Sequence, residues 1–224
     1  MSEATQILAI DGPAGAGKSS TAKEAARQLG FAFLDTGAMY RAATWWALEQ
    51  GLSLDDPDAM AESTRSMDLD IQNTASGQRV FVNGREVTDA IRLPEITKLI
   101  YKLDQNPEVR RHLVALQQRF GEKQPTVAEG RDIGTVVFPK AKCKIYMDAA
   151  IEERAHRRAK EMERKGLAVN LAELCADIAE RDRQSMERKD SPLRRADDAI
   201  LLDTTQLDFD AAVAEVLRIA RERL

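Results

Sequence analysis

The sequence predicts an α/β chain in which short apolar strands alternate with helices and one small antiparallel sheet is inserted. Three observations carry that reading. Apolar runs of strand length at 6–10, 31–34, 125–128, 143–148 and 199–202 alternate with stretches of helical periodicity. The first run leads directly into Gly12-x-x-x-x-Gly17-Lys18-Ser19, the phosphate-binding loop pattern, and then into a helix. Between 68 and 88 the texture changes to period-two alternation around Asn83-Gly84, a strong hairpin signal.

Composition sets the outer bounds. With 224 residues the chain forms one elaborated domain or two small ones. Its 43% hydrophobic and 31% charged content supports a full core. The net charge of −4 argues against a whole-chain nucleic-acid binder. No secretory leader and no apolar run of membrane length are read, so a cytoplasmic protein without a membrane partner is expected. Cys143 and Cys175 match no metal spacing and read as small packing groups.

Taken in order, the first helix runs from Ser19 to Leu29, with Ala22, Ala25, Ala26 and Leu29 at helical spacing and Gly30 as its stop. The strand 31–34 follows, and 39–50 reads as a helix whose Trp45 and Trp46 pack against a neighbour. A loop at 54–57 precedes a helix at 58–67. The strands 69–71, 78–82 and 85–88 make the inserted sheet. Leu93-Pro94 opens a helix to 103, and Asn106-Pro107 opens another to about Phe120. On the latter, Val109, Leu113, Leu116 and Phe120 make the apolar face; Arg110, Arg111 and Arg119 lie off it, the usual pattern of a solvated face. After the strands at 125–128 and 143–148, the segment 151–190 is highly charged. Lys165-Gly166 breaks it, Asn170 caps its second helix to about Arg188, and Ser191-Pro192-Leu193 ends it. The strand 199–202 and an amphipathic helix 209–224 complete the chain.

The phosphate loop is chemically explicit. Glycines at 12, 15 and 17 let the backbone N–H groups along Gly12, Pro13, Ala14, Gly15, Ala16, Gly17, Lys18, Ser19 and Ser20 turn around an anion (Pro13 itself has none). The helix N-terminus adds positive partial charge. Lys18 reaches the β- and γ-phosphates, and the Ser19 hydroxyl is the Mg²⁺ ligand. A nucleoside triphosphate is thereby expected. Asp35, Thr36 and Arg41 follow the second strand, at the edge of the sheet where ligands dock in open α/β folds. Helix capping accounts for Asp35 or Thr36 equally well, but not for Arg41 one turn later. Glu129, Arg131 and Asp132 end another strand at the same edge.

Arg154, Arg157 and Arg158 have i, i+3, i+4 spacing and share a helix face. Alone, 151–190 reads as two solvated helices laced by ion pairs. Beside a nucleotide loop, an arginine-bearing lid is the alternative. Phosphoryl transfer is catalysed mainly by positioning and by neutralising charge on the moving group. Arginines at 41, 110, 131, 154, 157, 158, 181 and 188 fit a phosphotransferase acting on a small phosphorylated acceptor. A regulatory GTPase would carry an Asn-Lys-x-Asp stretch, and none occurs. A nucleic-acid-dependent ATPase is opposed by the acidic charge. A non-enzymatic nucleotide module has no need of Arg41, Arg131 and Asp132 together.

Five segments carry a resemblance: 10–19, Asp35-Thr-Gly-Ala-Met-Tyr-Arg41, Glu129-Gly-Arg-Asp-Ile-Gly-Thr-Val-Val-Phe-Pro139, Glu153-Arg-Ala-His-Arg-Arg158 and Ser191-Pro-Leu193. In this order they resemble the bacterial cytidylate kinases, a branch of the P-loop nucleoside monophosphate (NMP) kinases. The resemblance implies a five-stranded parallel sheet in a three-layer fold, an NMP-binding insert with a small antiparallel sheet, and a helical lid. It divides the chain into core with phosphate loop (1–38), NMP-binding insert (39–93), core (94–150), lid and arginine-rich helices (151–190) and core (191–224). It implies transfer of the ATP γ-phosphate to CMP or dCMP with Mg²⁺; a monomer is expected.

By the same resemblance, Thr36, Arg110 and Asp132 read cytosine, and Arg41, Arg131 and Arg188 hold the CMP phosphate. Tyr40, Ser185 and Arg181 join the substrate set, Arg181 facing the sugar. Lys18 and Arg131 are catalytic, together with Arg154, Arg157 and Arg158 as lid charge, and Glu129 orients the Mg²⁺ shell through water. The sequence departs from the family pattern at Thr36, usually Ser, and near the sugar at Tyr101, usually Ser, and Ser185, usually Asp.

Overall fold

A computed structural model describes residues 6–75, 77–164 and 166–224. The strands β1 (Ile7–Asp11), β2 (Ala32–Asp35), β6 (Thr126–Gly130), β7 (Cys143–Asp148) and β8 (Ile200–Asp203) form a five-stranded parallel sheet in the order β2-β6-β1-β7-β8. The strands β1 and β6 are buried along their whole length, which is why β1 reads as a continuous apolar run instead of an alternating one. Register follows the runs: Leu8 lies opposite Cys143 and Ile10 opposite Ile145, while Ile145 lies opposite Ile200.

By density of contacts the chain forms two compact units, one covering 32–126 and the other 6–31 with 127–224. In the second unit, α1 (Lys18–Leu29) leaves β1 through the phosphate loop and stops at Gly30, which adopts φ +69° and returns its N–H to the last turn. The helix α8 (Phe209–Arg223) packs on α1. The helices α6 (Ile151–Arg164) and α7 (Leu171–Met186) pair with each other. Asn170 caps α7 through the N–H groups of Ala172 and Glu173, as its sequence position implies. The expected break at Lys165-Gly166 is seen at Gly166, φ +75°; Lys165 lies outside the described residues. The helix α7 ends at Met186, two residues before Arg188.

The first unit holds α2 (Thr36–Glu49), α3 (Pro57–Ser66), the antiparallel strands β3 (Leu69–Thr74), β4 (Gly77–Val82) and β5 (Arg85–Glu86), and α4 (Pro94–Asp104) and α5 (Pro107–Lys123). Its core gathers Trp45, Leu54, Met60, Val80, Val82, Ile91, Leu103 and Leu113, with Trp46 packed against it. The Asn83-Gly84 turn takes φ +50° and +77°, the left-handed pair that a two-residue hairpin requires. The helix α2 starts three residues earlier than periodicity suggests, because Asp35 accepts from the Ala38 N–H and caps it there.

Two elements escaped the sequence. A 3-10 turn at Ala90–Arg92 precedes α4, and a π-helical turn at Ile133–Val137 follows Asp132. Arg110 also differs from expectation. It is buried, 2% exposed, with its guanidinium 5.5 Å over the Tyr40 ring and Nη1 donating to the Asp104 carbonyl at 3.3 Å. An aromatic face and a carbonyl supply the partners that let an arginine leave water. Arg111 and Arg119 are exposed, as a solvated face demands.

Candidate active site

The phosphate loop begins where β1 ends. Gly12 takes φ +150°, and a Cβ there would lie 1.9 Å from the Met147 carbonyl oxygen. Only glycine lets the loop pass the neighbouring strand at that distance. Gly15 (φ +78°) and Gly17 (φ +88°) complete the cradle. Gly17 caps α1 without a side-chain hydrogen bond, which leaves the first-turn N–H groups for an anion.

Lys18 folds back into the loop and donates from Nζ to the Pro13 carbonyl at 2.7 Å. Burial, and then the positive charge of Arg131, pull its pKa down to about 7; Glu129, Asp11 and Asp182 act against that fall. Ser19 Oγ donates to Glu129 Oε1 at 2.6 Å, and Ser20 Oγ to the Gly17 carbonyl at 2.9 Å. Arg131 reaches the other end of the loop, Nη1 donating to the Gly12 carbonyl at 2.9 Å. Asp132 is buried beside it, 5% exposed.

The arginines of α6 share a helix face in sequence but not an environment. Arg154 is buried. Its Nε donates to the Ala149 carbonyl and its Nη1 to the Ala14 carbonyl, both at 2.9 Å, and it forms an ion pair with Asp182. Asp182 in turn accepts from the Ala14 N–H at 2.9 Å. Both polar groups of the Ala14 peptide are thus held by the pair. Arg157 is half-buried and donates to the Thr204 hydroxyl at 3.0 Å and to Glu153 at 3.0 Å. Arg158, further exposed, pairs with Glu161 at 2.7 Å. On α7, Ser185 is buried and its hydroxyl donates to the Arg181 carbonyl at 2.9 Å. Arg188 is buried, with Nη2 donating to the Ser191 carbonyl at 2.7 Å.

In the unit 32–126 the polar groups centre on Asp35. Arg41 Nη2 donates to its Oδ2 at 2.8 Å, and the Arg92 guanidinium stands 3.8 Å from the same oxygen. Gly37 leaves room beside that pair, since a Cβ there would lie 3.1 Å from Arg41 Nη1 and 3.2 Å from Asp35 Oδ1. Burial raises the Asp35 pKa, but Arg41, Arg92 and the Ala38 N–H more than offset it and hold the carboxyl below its usual range. Thr36 and Tyr40 are buried one residue and one turn further on.

Of the sequence-expected residues, Thr36, Tyr40, Arg41 and Arg110 therefore belong to one unit, and the loop, Arg131, Asp132, Arg154, Arg157, Arg158, Arg181, Ser185 and Arg188 to the other.

Three residues with evident work went unrecognised in the sequence: Asp11, Asp182 and Thr204. Asp182 carried a usable signal, because it falls with Ile178 and Ser185 on the buried face of α7 at helical spacing. Asp11 is an acid closing an otherwise apolar strand, which deserves a reason wherever it occurs. Thr204 carried no signal.

A sequence profile described as cytidylate kinase matches residues 8–222. The chain belongs to the cytidylate kinase family. A cytidylate kinase of Exiguobacterium sibiricum is 47% identical over 97% of this chain and 97% of its own length. One from Bacillus subtilis is 44% identical over 96% of each chain. A crystal structure of an uncharacterized protein from Eubacterium ventriosum superposes with a TM-score of 0.55 at 15% identity, over 97% of this chain and 99% of that one; it supports the fold alone. The cytidylate kinases are ATP-dependent phosphotransferases acting on a small nucleotide, and the arginine-rich, glycine-looped site suits that chemistry. No helix among the described residues is long and apolar enough to cross a membrane.

Proposed function

We propose that the loop 12–20 binds the ATP phosphates, that Lys18 spans the β- and γ-phosphates, and that CMP is the acceptor, with dCMP accepted less well. The observation that supports this most directly is the side chain of Lys18, held inside the loop on the Pro13 carbonyl at 2.7 Å. An entering phosphate replaces that carbonyl with full negative charge, which favours the charged form of the lysine against its burial. Ser19 and Glu129, 2.6 Å apart, offer an oxygen-only donor set, which suits a hard octahedral cation such as Mg²⁺. Mg²⁺ bound with ATP supplies charge neutralisation across the phosphates.

An oxygen of the CMP phosphate attacks the γ-phosphorus, the bond to the β,γ-bridging oxygen breaks, and ADP leaves with the electron pair. A phosphate nucleophile is already ionised, so the residues position and neutralise and no strong base is needed. Arg41, Arg131 and Arg188 hold the acceptor phosphate. Thr36, Arg110 and Asp132 read the base, Asp132 accepting from the cytosine amine, and Tyr40 packs beside Arg110. Arg181 serves the sugar, next to Ser185. Arg157 and Arg158 carry lid charge to the transferring group; Arg154 acts from the root of α6, through the loop.

The functional regions are proposed at the boundaries read from the sequence: insert 39–93, lid 151–190, and core elsewhere. A soluble cytoplasmic monomer completes the reading.

The test is ADP release with ATP alone and with CMP, dCMP, UMP, AMP or GMP added. Turnover that depends on CMP supports the reading. Equal turnover without an acceptor, or a preference for AMP or GMP, removes it.

A further inference from the structure

Asp11 has no part in the chemistry above, yet it is one of the most deliberately partnered groups in the molecule. It is 4% exposed at the carboxyl end of β1. Its Oδ1 accepts from the Ile133 N–H and its Oδ2 from the Gly134 N–H, each at 2.7 Å. Those are the two residues after Asp132. On the other side of Asp132, Arg131 donates to the carbonyl of Gly12, the residue after Asp11. The backbone of Asp132 sits at φ −146°, ψ 27°, outside the regular helical and strand regions, between these two attachments.

We propose that Asp11 is a positioning residue for base recognition: its carboxylate fixes the turn that presents Arg131 and Asp132 to the acceptor nucleotide. This rests on the reading that Asp132 accepts from the cytosine amine. Two charge-assisted bonds to consecutive N–H groups define the direction of a peptide, not merely its place. A hydrogen-bonding site discriminates only while its acceptor stays aligned. Gly134 belongs to the same device. A Cβ there would lie 3.3 Å from Asp11 Oδ2 and 3.1 Å from Lys144 Cδ, so any larger residue crowds the carboxylate at its contact with this N–H.

The experiment compares kcat/KM for CMP and for UMP in the full-length wild type, Asp11→Asn, Gly134→Ala and Asp132→Ala, at saturating ATP. The CMP:UMP ratio is independent of the fraction of folded enzyme, so a purely structural role leaves it unmoved. In Asp11→Asn the amide presents N–H to an N–H, so one of the two bonds is lost. The ratio is expected to narrow by about tenfold, the scale of one misaligned hydrogen bond. Gly134→Ala perturbs the same contact from the opposite side and is expected to narrow it too, which keeps the test open if Asp11→Asn folds poorly. An unchanged ratio in both variants, with a collapsed ratio in Asp132→Ala, overturns the role of Asp11 alone. An unchanged ratio in Asp132→Ala overturns the reading beneath it. Equal losses for CMP and UMP, with a raised KM for ATP when ATP is varied at saturating CMP, assign Asp11 to Lys18 instead, and likewise overturn the proposal.

Discussion

Asp11 and Asp35 occupy equivalent places. Each is a buried aspartate on the last residue of a parallel strand, Asp11 leading into the phosphate loop and Asp35 into α2. Their electrostatics are opposite. Burial pushes the Asp11 carboxyl up to about 7, with the Asp132 charge adding to the rise and the Gly134 and Ile133 N–H groups and Lys18 opposing it. Asp35 is held below the usual carboxylate range by Arg41 and Arg92 in spite of its burial. The difference lies in the partners. Two backbone N–H groups orient the Asp11 carboxylate but do not outweigh its burial, whereas the charges of Arg41 and Arg92, with the Ala38 N–H, outweigh that of Asp35. One position spends stability on direction; the other uses an ion pair to fix an arginine.

The largest expected effect removes the cation beside Asp11. Lys18→Ala should cost transfer about 3 kcal/mol or more of transition-state stabilisation, roughly a hundredfold in kcat/KM. Circular dichroism alongside kcat separates this from misfolding. Near-normal turnover in the folded variant would take the loop out of the mechanism.

Asp35→Ala comes next. It deletes the cap of α2 and the hydrogen bond to Arg41. A cap is worth about 1 kcal/mol and a charged hydrogen bond about 1.5–3, so a loss of roughly 3 kcal/mol by urea unfolding is expected. Asp35→Asn keeps the acceptor for Ala38 and should lose less. Equal losses would show that the cap contributes nothing.

The two aspartates should also give stability slopes of opposite sign. A carboxyl raised by folding stabilises fully below its unfolded pKa and loses that contribution as pH rises through the folded one. For Asp11 the window is 3.8 to about 7. For Asp35 the contribution is present above its unfolded pKa of 3.8 and is lost as pH falls below it. Between pH 4 and 7 the wild type should therefore lose up to about 1 kcal/mol per pH unit relative to Asp11→Asn. Parallel curves would mean that Asp11 titrates as an ordinary carboxyl.

Arg92→Ala is the smallest test. The side chain is half exposed and 3.8 Å from Asp35, so its removal should change stability by no more than about 0.5 kcal/mol. A loss matching that of Asp35→Ala would move the weight of the pair from Arg41 to Arg92.

Whatever is decided within a few residues could be read from the sequence. The phosphate loop, the Asn83-Gly84 turn, the stop at Gly30 and the caps at Asn106 and Asn170 all follow from local backbone chemistry. The cap of α2 is open between Asp35 and Thr36 in the sequence, since either side chain can cap; in the structure Asp35 caps, and its carboxylate also pairs with Arg41. Contacts across long stretches of chain were illegible. Asp11 meets Ile133, and Asp182 meets Ala14, more than a hundred residues away, and no periodicity encodes such a meeting. The burial of Arg110 was hidden for the same reason, because Tyr40 lies on another helix. The π-helical turn after Asp132 has no composition signal at all.

The strand β2 stands at the margin of the parallel sheet, and margins of that kind invite other chains to pair with them. Here the outward N–H groups of Phe33 and Asp35 are already occupied, by Asn73 Oδ1 at 3.1 Å and Gln78 Oε1 at 3.0 Å. Two side-chain amides from the inserted hairpin thus act as a sealed hem. Trimming the hairpin to obtain a minimal kinase would strip that hem and leave a sticky border, so the shortened chain should self-associate into fibrous or amorphous material before any loss of catalytic competence could be measured.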